Sequence, residues 1–168
     1  MLDLEDKRAD LETELTHPTM RAFYDYWRTL PAENGLPGRQ HVDPAAIHTL
    51  LPWLFMVDVE RPLPGPVFRY RLAGTGIVDL FDFEITGRTV EEAFPQQAAE
   101  LSADYARAMT ATQPIYRSTP MPVSKKWYLT VDRLICPLAS NGAEIDMLIG
   151  ALVPVTHKQA VLPRQSAA

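Results

Sequence analysis

Four histidines and one cysteine limit the chemistry open to this chain. The histidines are His17, His41, His48 and His157, so the stretch from Leu54 to Val155 contains none. Imidazole exchanges protons near neutral pH and is the commonest nitrogen ligand for metals. A histidine metal site would need all four to converge from the two ends of the chain. A Ser-His-Asp triad or a His–carboxylate dyad meets the same shortage. The carboxylate pairs Glu91-Glu92 and Asp79/Asp82 fall near turns, where solvated acids are ordinary. Asp58, Asp132 and Tyr116 are the nearest candidates for a polar dyad, and none has a histidine partner. Cys136 directly precedes Pro137 in a strand-like run and reads as a small buried hydrophobe. No glycine-rich phosphate loop follows a strand. The reading is therefore no catalytic residue, no metal and not an enzyme. The alternative is a small isomerase or hydrolase on a curved-sheet α+β scaffold.

Charge narrows the partners. The first fifteen residues hold six acids and two bases, a net of −4 out of −5 for the whole chain, so the rest is near −1. Nothing resembles the basic footprint that phosphate contacts require, which excludes nucleic acid. The acidic start does not read as a secretory leader. The apolar runs Leu50–Val57 and Met147–Val155 are far shorter than the ~18 residues of a spanning helix, which excludes a membrane role. A lone cysteine, unable to form an internal disulfide, fits the cytoplasm.

The elements follow from periodicity. Leu4, Leu11 and Leu15 form a thin apolar stripe on a charged N-terminal helix, which is either solvated or pairs with a second subunit. Thr16-His17-Pro18 restarts the helix, with Thr16 as cap. Met20, Phe23, Tyr24, Trp27 and Leu30 then give one wide apolar face from Thr19 to Leu30. Asp43-Pro44 opens a second helix that stops before Pro52. Strands are predicted over Leu54–Glu60 and Val67–Ala73, joined by the proline-rich turn Arg61–Pro66. An irregular stretch, Gly74 to Phe94, precedes a helix over Gln96–Thr112. Three strands follow, Ile115–Met121, Trp127–Leu138 and Ile145–Val155, the last two joined at Asn141-Gly142. Two runs of strands around a helical middle make an antiparallel α+β domain.

That order and its motifs resemble the bacterial PAS_5 family of PAS domains. The motifs are Leu36-Pro37-Gly38-Arg39, Asp43-Pro44 through Leu50-Leu51-Pro52, Asp58-Val59, Phe68-Arg69-Tyr70-Arg71-Leu72-Ala73-Gly74-Thr75, Thr86-Gly87-Arg88 and Cys136-Pro137-Leu138 before Asn141-Gly142. They run from Thr19 to Val155. The resemblance implies a five-stranded antiparallel sheet with helices on one face, a small cavity between them, and an N-terminal helical extension. It divides the chain into an extension (1–52), a PAS core (53–156) and a disordered tail (157–168). It implies a stand-alone sensor or interaction module acting through a small ligand or protein contact. No cofactor is expected: haem-binding relatives ligate iron from a histidine in the helical middle, and flavin photoreceptors carry a reactive cysteine there, and both motifs are missing.

Two expectations concern sites. The cavity is expected to be lined by Tyr70, Leu72, Phe83, Met109, Tyr116, Trp127 and Leu129, with Arg71 or Arg133 as charge anchor; the alternative is a filled core with surface arginines. Leu11, Leu15, Met20, Phe23 and Trp27 are the candidate homodimer contacts, and a separate signalling protein is the other expected partner. In the last-but-one strand, Trp127, Leu129 and Val131 share one face, whereas Leu134, Cys136 and Leu138 share the other. Either a bulge lies near Asp132-Arg133, or both faces are covered.

Overall fold

The helix predicted after Thr16 forms as α1 (Pro18–Thr29). Its cap is His17, not Thr16: the His17 Nδ1 accepts from the Thr19 N–H at 3.2 Å, and Pro18 occupies the first turn, where a missing N–H costs nothing. Met20, Phe23 and Tyr24 make its buried face. These details come from a computed structural model that describes residues 10–32, 35–121, 126 and 129–155. The predicted helix before residue 10, Trp127 and the tail at 157–168 lie outside the described residues. Residues 10–14 are helical.

Five strands form one antiparallel sheet: β1 (Leu54–Glu60), β2 (Val67–Ala73), β3 (Ile115–Pro120), β4 (Thr130–Leu138) and β5 (Met147–Val155). Their spatial order is β2-β1-β5-β4-β3, so the last strand lies beside the first at the sheet centre. Three helices fill the connection between β2 and β3: α2 (Thr75–Phe81), α3 (Val90–Ala93) and α4 (Ala98–Ala111). Thr89 and Glu92 cap α3 reciprocally, each side chain accepting from the other's backbone N–H. This is the α+β fold that the strand pattern implies.

Asp43-Pro44 does not open a helix. Residues 44–50 run as consecutive turns into a 3-10 turn at Leu51–Trp53. Asp43 does act as a cap, accepting from the Ala45 N–H at 2.9 Å. Seven residues between two prolines make about two turns, and Pro52 lacks the N–H that would extend the ladder. The segment closes instead through i→i+3 bonds such as Leu50 N–H to Ile47 C=O, 2.8 Å.

Both faces of the sheet are buried. One cluster on the inner face joins Phe55, Val57, Phe68, Tyr70, Val131, Ile135, Leu148 and Leu152 to residues of α2–α4. A second cluster on the outer face joins Leu54, Met56, Leu134, Cys136, Leu138, Ile149, Ala151 and Val153 to Leu15, Met20, Phe23 and Tyr24. Trp27 fixes α1 on the sheet by donating its indole N–H to the Pro137 carbonyl at 3.2 Å. Of the two accounts of β4, coverage on both sides is therefore the one seen. Pairing of β4 with β3 and with β5 runs without a slip through Asp132-Arg133.

The bulge lies in β2. Met56 pairs with Leu72 but Val57 pairs with Tyr70, which leaves Arg71 as an extra residue. One inserted residue inverts the faces beyond it. Phe68 and Tyr70 point inward, whereas Leu72 is turned out and is 42% exposed. At the sheet centre Phe55 lies opposite Gly150 on β5, and a Cβ at Gly150 would strike the Phe55 ring. The glycine lets that ring lie flat across the inner face, where it becomes a cavity wall. Among the described residues, no helix is long and apolar enough to cross a membrane.

The outer layer gives a stability prediction. Phe23 is fully buried between α1 and the sheet. Phe23→Ala should lower unfolding stability by about 3–5 kcal/mol. Urea denaturation should show a lower midpoint at unchanged slope. A loss under about 1 kcal/mol would show that α1 is not docked as described.

Candidate ligand cavity

Between the inner face of the sheet and α2–α4 lies a cavity of about 230 Å³. Its walls are apolar: Phe55 and Leu152 from the sheet, Ile77 and Phe81 from α2, Ile85 and Phe94 from the connecting segments. The aromatic rings meet mostly edge to face, with Phe81–Phe94 centroids 5.0 Å apart and Tyr70–Phe94 6.0 Å. Gln97, Glu100, Thr119 and Pro120 also line it, and the exposed members, Glu100 and Pro120, mark its mouth.

One end is polar. Tyr70 from β2 and Tyr105 from α4 bring their hydroxyls to 3.0 Å, both side chains buried. Burial pushes the Tyr70 phenol well above its ordinary value and raises Tyr105 as well, so both stay protonated. Arg133 from β4 lines the same end, only 4% exposed, with its guanidinium 5.9 Å from the Tyr105 ring centre.

Behind Arg133 stands Asp104, fully buried on α4. Arg133 Nη2 donates to its Oδ2 at 2.9 Å and Arg117 Nε to its Oδ1 at 2.9 Å. Arg107, one turn along the helix, reaches Oδ1 at 3.4 Å. Strand register explains the convergence. Arg117 and Arg133 are directly paired across β3 and β4, so both project to the inner face. Asp104 shares the buried stripe of α4 with Leu101, Tyr105 and Ala108, which aims it at that pair. Among the described residues, Arg133 Nε is the buried side-chain nitrogen without a hydrogen-bond partner.

The structure sorts the expected lining residues. Tyr70 and Arg133 line the cavity. Leu72 does not, because the Arg71 bulge turns it outward. Phe83 lies behind the wall, its ring 6.1 Å from Phe81 and 5.8 Å from Phe94. Met109 and Leu129 pack at the margin of the inner cluster without reaching the space. Tyr116 is on the opposite face, because the alternation of β3 sends Ile115 and Arg117 inward. Arg71 pairs with Asp58 at 3.3 Å on the surface. Asp132 and Tyr116 together face the outer layer, so that candidate dyad is outside the cavity. Cys136 is buried in the outer layer, where desolvation raises its thiol pKa well above the usual range.

Tyr105, Phe55 and Leu152, which line the cavity, and Asp104 behind Arg133 were not singled out from the sequence as site residues. Tyr105 and Asp104 left a legible signal, an aromatic and an acid on the apolar stripe of one helix. The candidate dimer contacts are used within one chain: Leu15, Met20 and Phe23 are buried on the sheet, and Leu11 and Trp27 pack partly against the same cluster.

The sequence matches the PAS_5 family model, described as a PAS domain, over residues 15–153. Comparison with curated proteins gives no match. Solved structures of the same fold include the sensory box sensor histidine kinase from Vibrio cholerae, 14% identical with a TM-score of 0.50, covering 67% of this chain and 87% of that one. The PAS domain from Bordetella pertussis BvgS is 18% identical with a TM-score of 0.52, covering 68% and 87%. VqmA bound to DPO is 13% identical with a TM-score of 0.52, covering 66% and 56%.

Two predictions follow from these contacts. Asp104→Ala leaves buried Arg133 without its counter-charge and should cost about 3–5 kcal/mol in urea unfolding. Arg117→Gln removes a part-exposed partner and should cost about 1 kcal/mol or less; equal losses would show that Asp104 is not centred on Arg133. The second concerns alkaline pH. Tyr116 is pushed up to about 12, by burial first and by Asp132 second, from an ordinary value of 10.0. Tyr70 and Tyr105 also move up. The contribution of these groups is complete below the unfolded value, because both states are then protonated. It is lost as pH rises from that value toward the folded ones, since the unfolded chain releases its protons first. Urea midpoints should therefore fall between about pH 10 and pH 12, and Tyr116→Phe should remove part of the fall. An unchanged pH profile in that variant would contradict the assignment to Tyr116.

Proposed function

The chain belongs to the PAS_5 family of PAS domains, and from that premise we propose that it is a sensing module whose cavity takes a small molecule and whose surface passes the bound state to a protein partner. The observation that carries this reading is the cavity itself. Protein interiors are packed so closely that voids larger than a water are few. An engineered apolar cavity of about 150 Å³ already admits benzene. The present cavity, about 230 Å³, is larger, partly open, and furnished with buried phenol and guanidinium groups at one end. Related folds lend support: one belongs to a sensor histidine kinase and another is VqmA bound to DPO.

Acid–base catalysis has less support. Glu100, the carboxylate of the lining, is exposed at the mouth. Asp104 is held by three guanidiniums. Among the described residues, no histidine lines the cavity. A homodimer through the N-terminal segment now rests on Leu11 and Trp27, since Leu15, Met20 and Phe23 are occupied on the sheet. A reduced, buried Cys136 suits residence in the cytoplasm.

Native mass spectrometry of the full chain purified from producing cells tests the ligand reading and the homodimer, because one spectrum reads bound mass and subunit number. A ligand at 100 times its Kd should add about 2.7 kcal/mol. For a domain of this size that is a rise in Tm of about 5–10 °C. No copurified mass, together with no stabilising compound in a broad metabolite screen, would overturn the ligand reading and leave protein contact as the role.

A further inference from the structure

The two oxygens of Asp104 bind arginines that face different spaces. Oδ2 accepts from Arg133, which lines the cavity. Oδ1 accepts from Arg117 Nε at 2.9 Å and from Arg107 Nη1 at 3.4 Å. Arg107 and Arg117 line a second space, an open groove of about 920 Å³. Three guanidiniums against one carboxylate leave an excess of two positive charges. Arg133 is sealed in the interior, so Arg107 and Arg117, both about half exposed, present that excess to solvent. Two guanidiniums that share one oxygen repel each other, and a second anion approaching from the groove relieves the repulsion.

The sheet edge shapes the groove. β3 is last in the strand order, so among the described residues only β4 flanks it. Ile115 and Arg117 from its inward face and Tyr116 from its outward face all line the groove. The space therefore passes around the free edge of the strand. Such an edge offers backbone N–H and C=O groups to an extended segment. Guanidiniums match carboxylates with paired hydrogen bonds. Here a buried acid already holds them in place, so a partner orders them at little cost. Asp10 and Glu14 line the wall formed by the N-terminal residues. They repel an acid there and leave the α4–β3 wall as its place. Arg28, the other arginine of the lining, is tied to Glu12.

We propose that this groove docks an acidic segment of a partner protein, extended along β3 with its carboxylates on Arg107 and Arg117. The proposal rests on the partner half of the reading given above, and it gives that partner a surface and a charge. Asp104 alone stands between this surface and the cavity-lining Arg133.

Three octapeptides serve as probes, alternating valine with glutamate, glutamine or lysine. Binding to the full chain is followed by ¹H–¹⁵N NMR at low salt. The glutamate peptide should bind about tenfold tighter than the glutamine peptide. It should shift the amides of residues 115–117 and the Nε–H signals of Arg107 and Arg117, and added salt should weaken it alone. Arg107→Gln combined with Arg117→Gln should bring the glutamate and glutamine peptides to similar affinity. If that pair does not fold, Arg107→Gln alone, which leaves Arg117 and Arg133 on Asp104, should narrow the gap. Equal binding of the glutamate and glutamine peptides, or tighter binding of the lysine peptide, would overturn the acidic class and leave a docking groove. Binding by none of the three, or shifts confined to other surfaces, would overturn the groove, while the cavity reading is decided separately by copurified mass. A dimer in light scattering that the double variant dissociates would overturn the partner and give the groove to a second copy. Glutamate-peptide binding gained only with Asp3→Asn, Glu5→Gln and Asp6→Asn would overturn it in favour of the chain's own first residues.

Discussion

The contact on which the inner half of this fold depends is the carboxylate of Asp104 set against the paired arginines of β3 and β4. Arg117 and Arg133 lie directly opposite each other on the same face, an arrangement that repels unless an anion stands between them. Asp104 is that anion, at 2.9 Å from each. A buried ion pair recovers its desolvation cost only with good geometry and additional hydrogen bonds. Here one carboxylate accepts from three guanidiniums, two of which reach solvent. The same contact ties α4 to the sheet edge. It therefore sets how far Tyr105 and Leu101, on the same helical stripe, stand from Phe55 and Tyr70, and so how wide the cavity is.

The outer half answers a different constraint. β4 and β5 lie at the interior of the sheet and are apolar on both faces, so a sheet with helices on one side alone would present Leu134, Cys136, Leu138 and Ile149 to water. The aromatic face of α1 removes that surface, and the Trp27–Pro137 hydrogen bond fixes its position. This accounts for residues that look, in isolation, like an interface: at helical spacing an aromatic stripe announces that it will be covered, without saying by which chain. Phe23 is covered by its own sheet.

How far the sequence could be read depends on the range of the interaction. The bounds of β1 and β2 are legible because proline and glycine punctuate them locally. The inward alternation of Phe68 and Tyr70 is legible for the same reason. It fails at Leu72, because the bulge at Arg71 arises from pairing with β1, a partner that local alternation does not contain. At Asp132-Arg133 one strand alone leaves two accounts open, a slip or coverage of both faces, because two-sided burial mimics a change of face; the structure shows the second. Tyr116 shows the same limit, since on an edge strand of six residues the inward set is decided by register with β4. The helix expected after Asp43-Pro44 has a working cap but too few donors before Pro52 to continue. Asp104 could be seen as an acid in an apolar stripe, yet its meaning required knowing that residues 117 and 133 are neighbours.

These constraints bear together on what the cavity can accept. Arg133 both lines the cavity and pairs with Asp104. Its Nη2 is bound to Asp104, and that bond is part of what seats α4 on the sheet. An occupant that claimed the full cation would draw on the contact that sets the width of its own pocket, and would leave a buried carboxylate short of a partner. An occupant that leaves the Asp104 bonds in place keeps that contact whole. What the cavity can accept is thus tied to how the helix is held, through the fold's own charge balance as much as through the shape of the space.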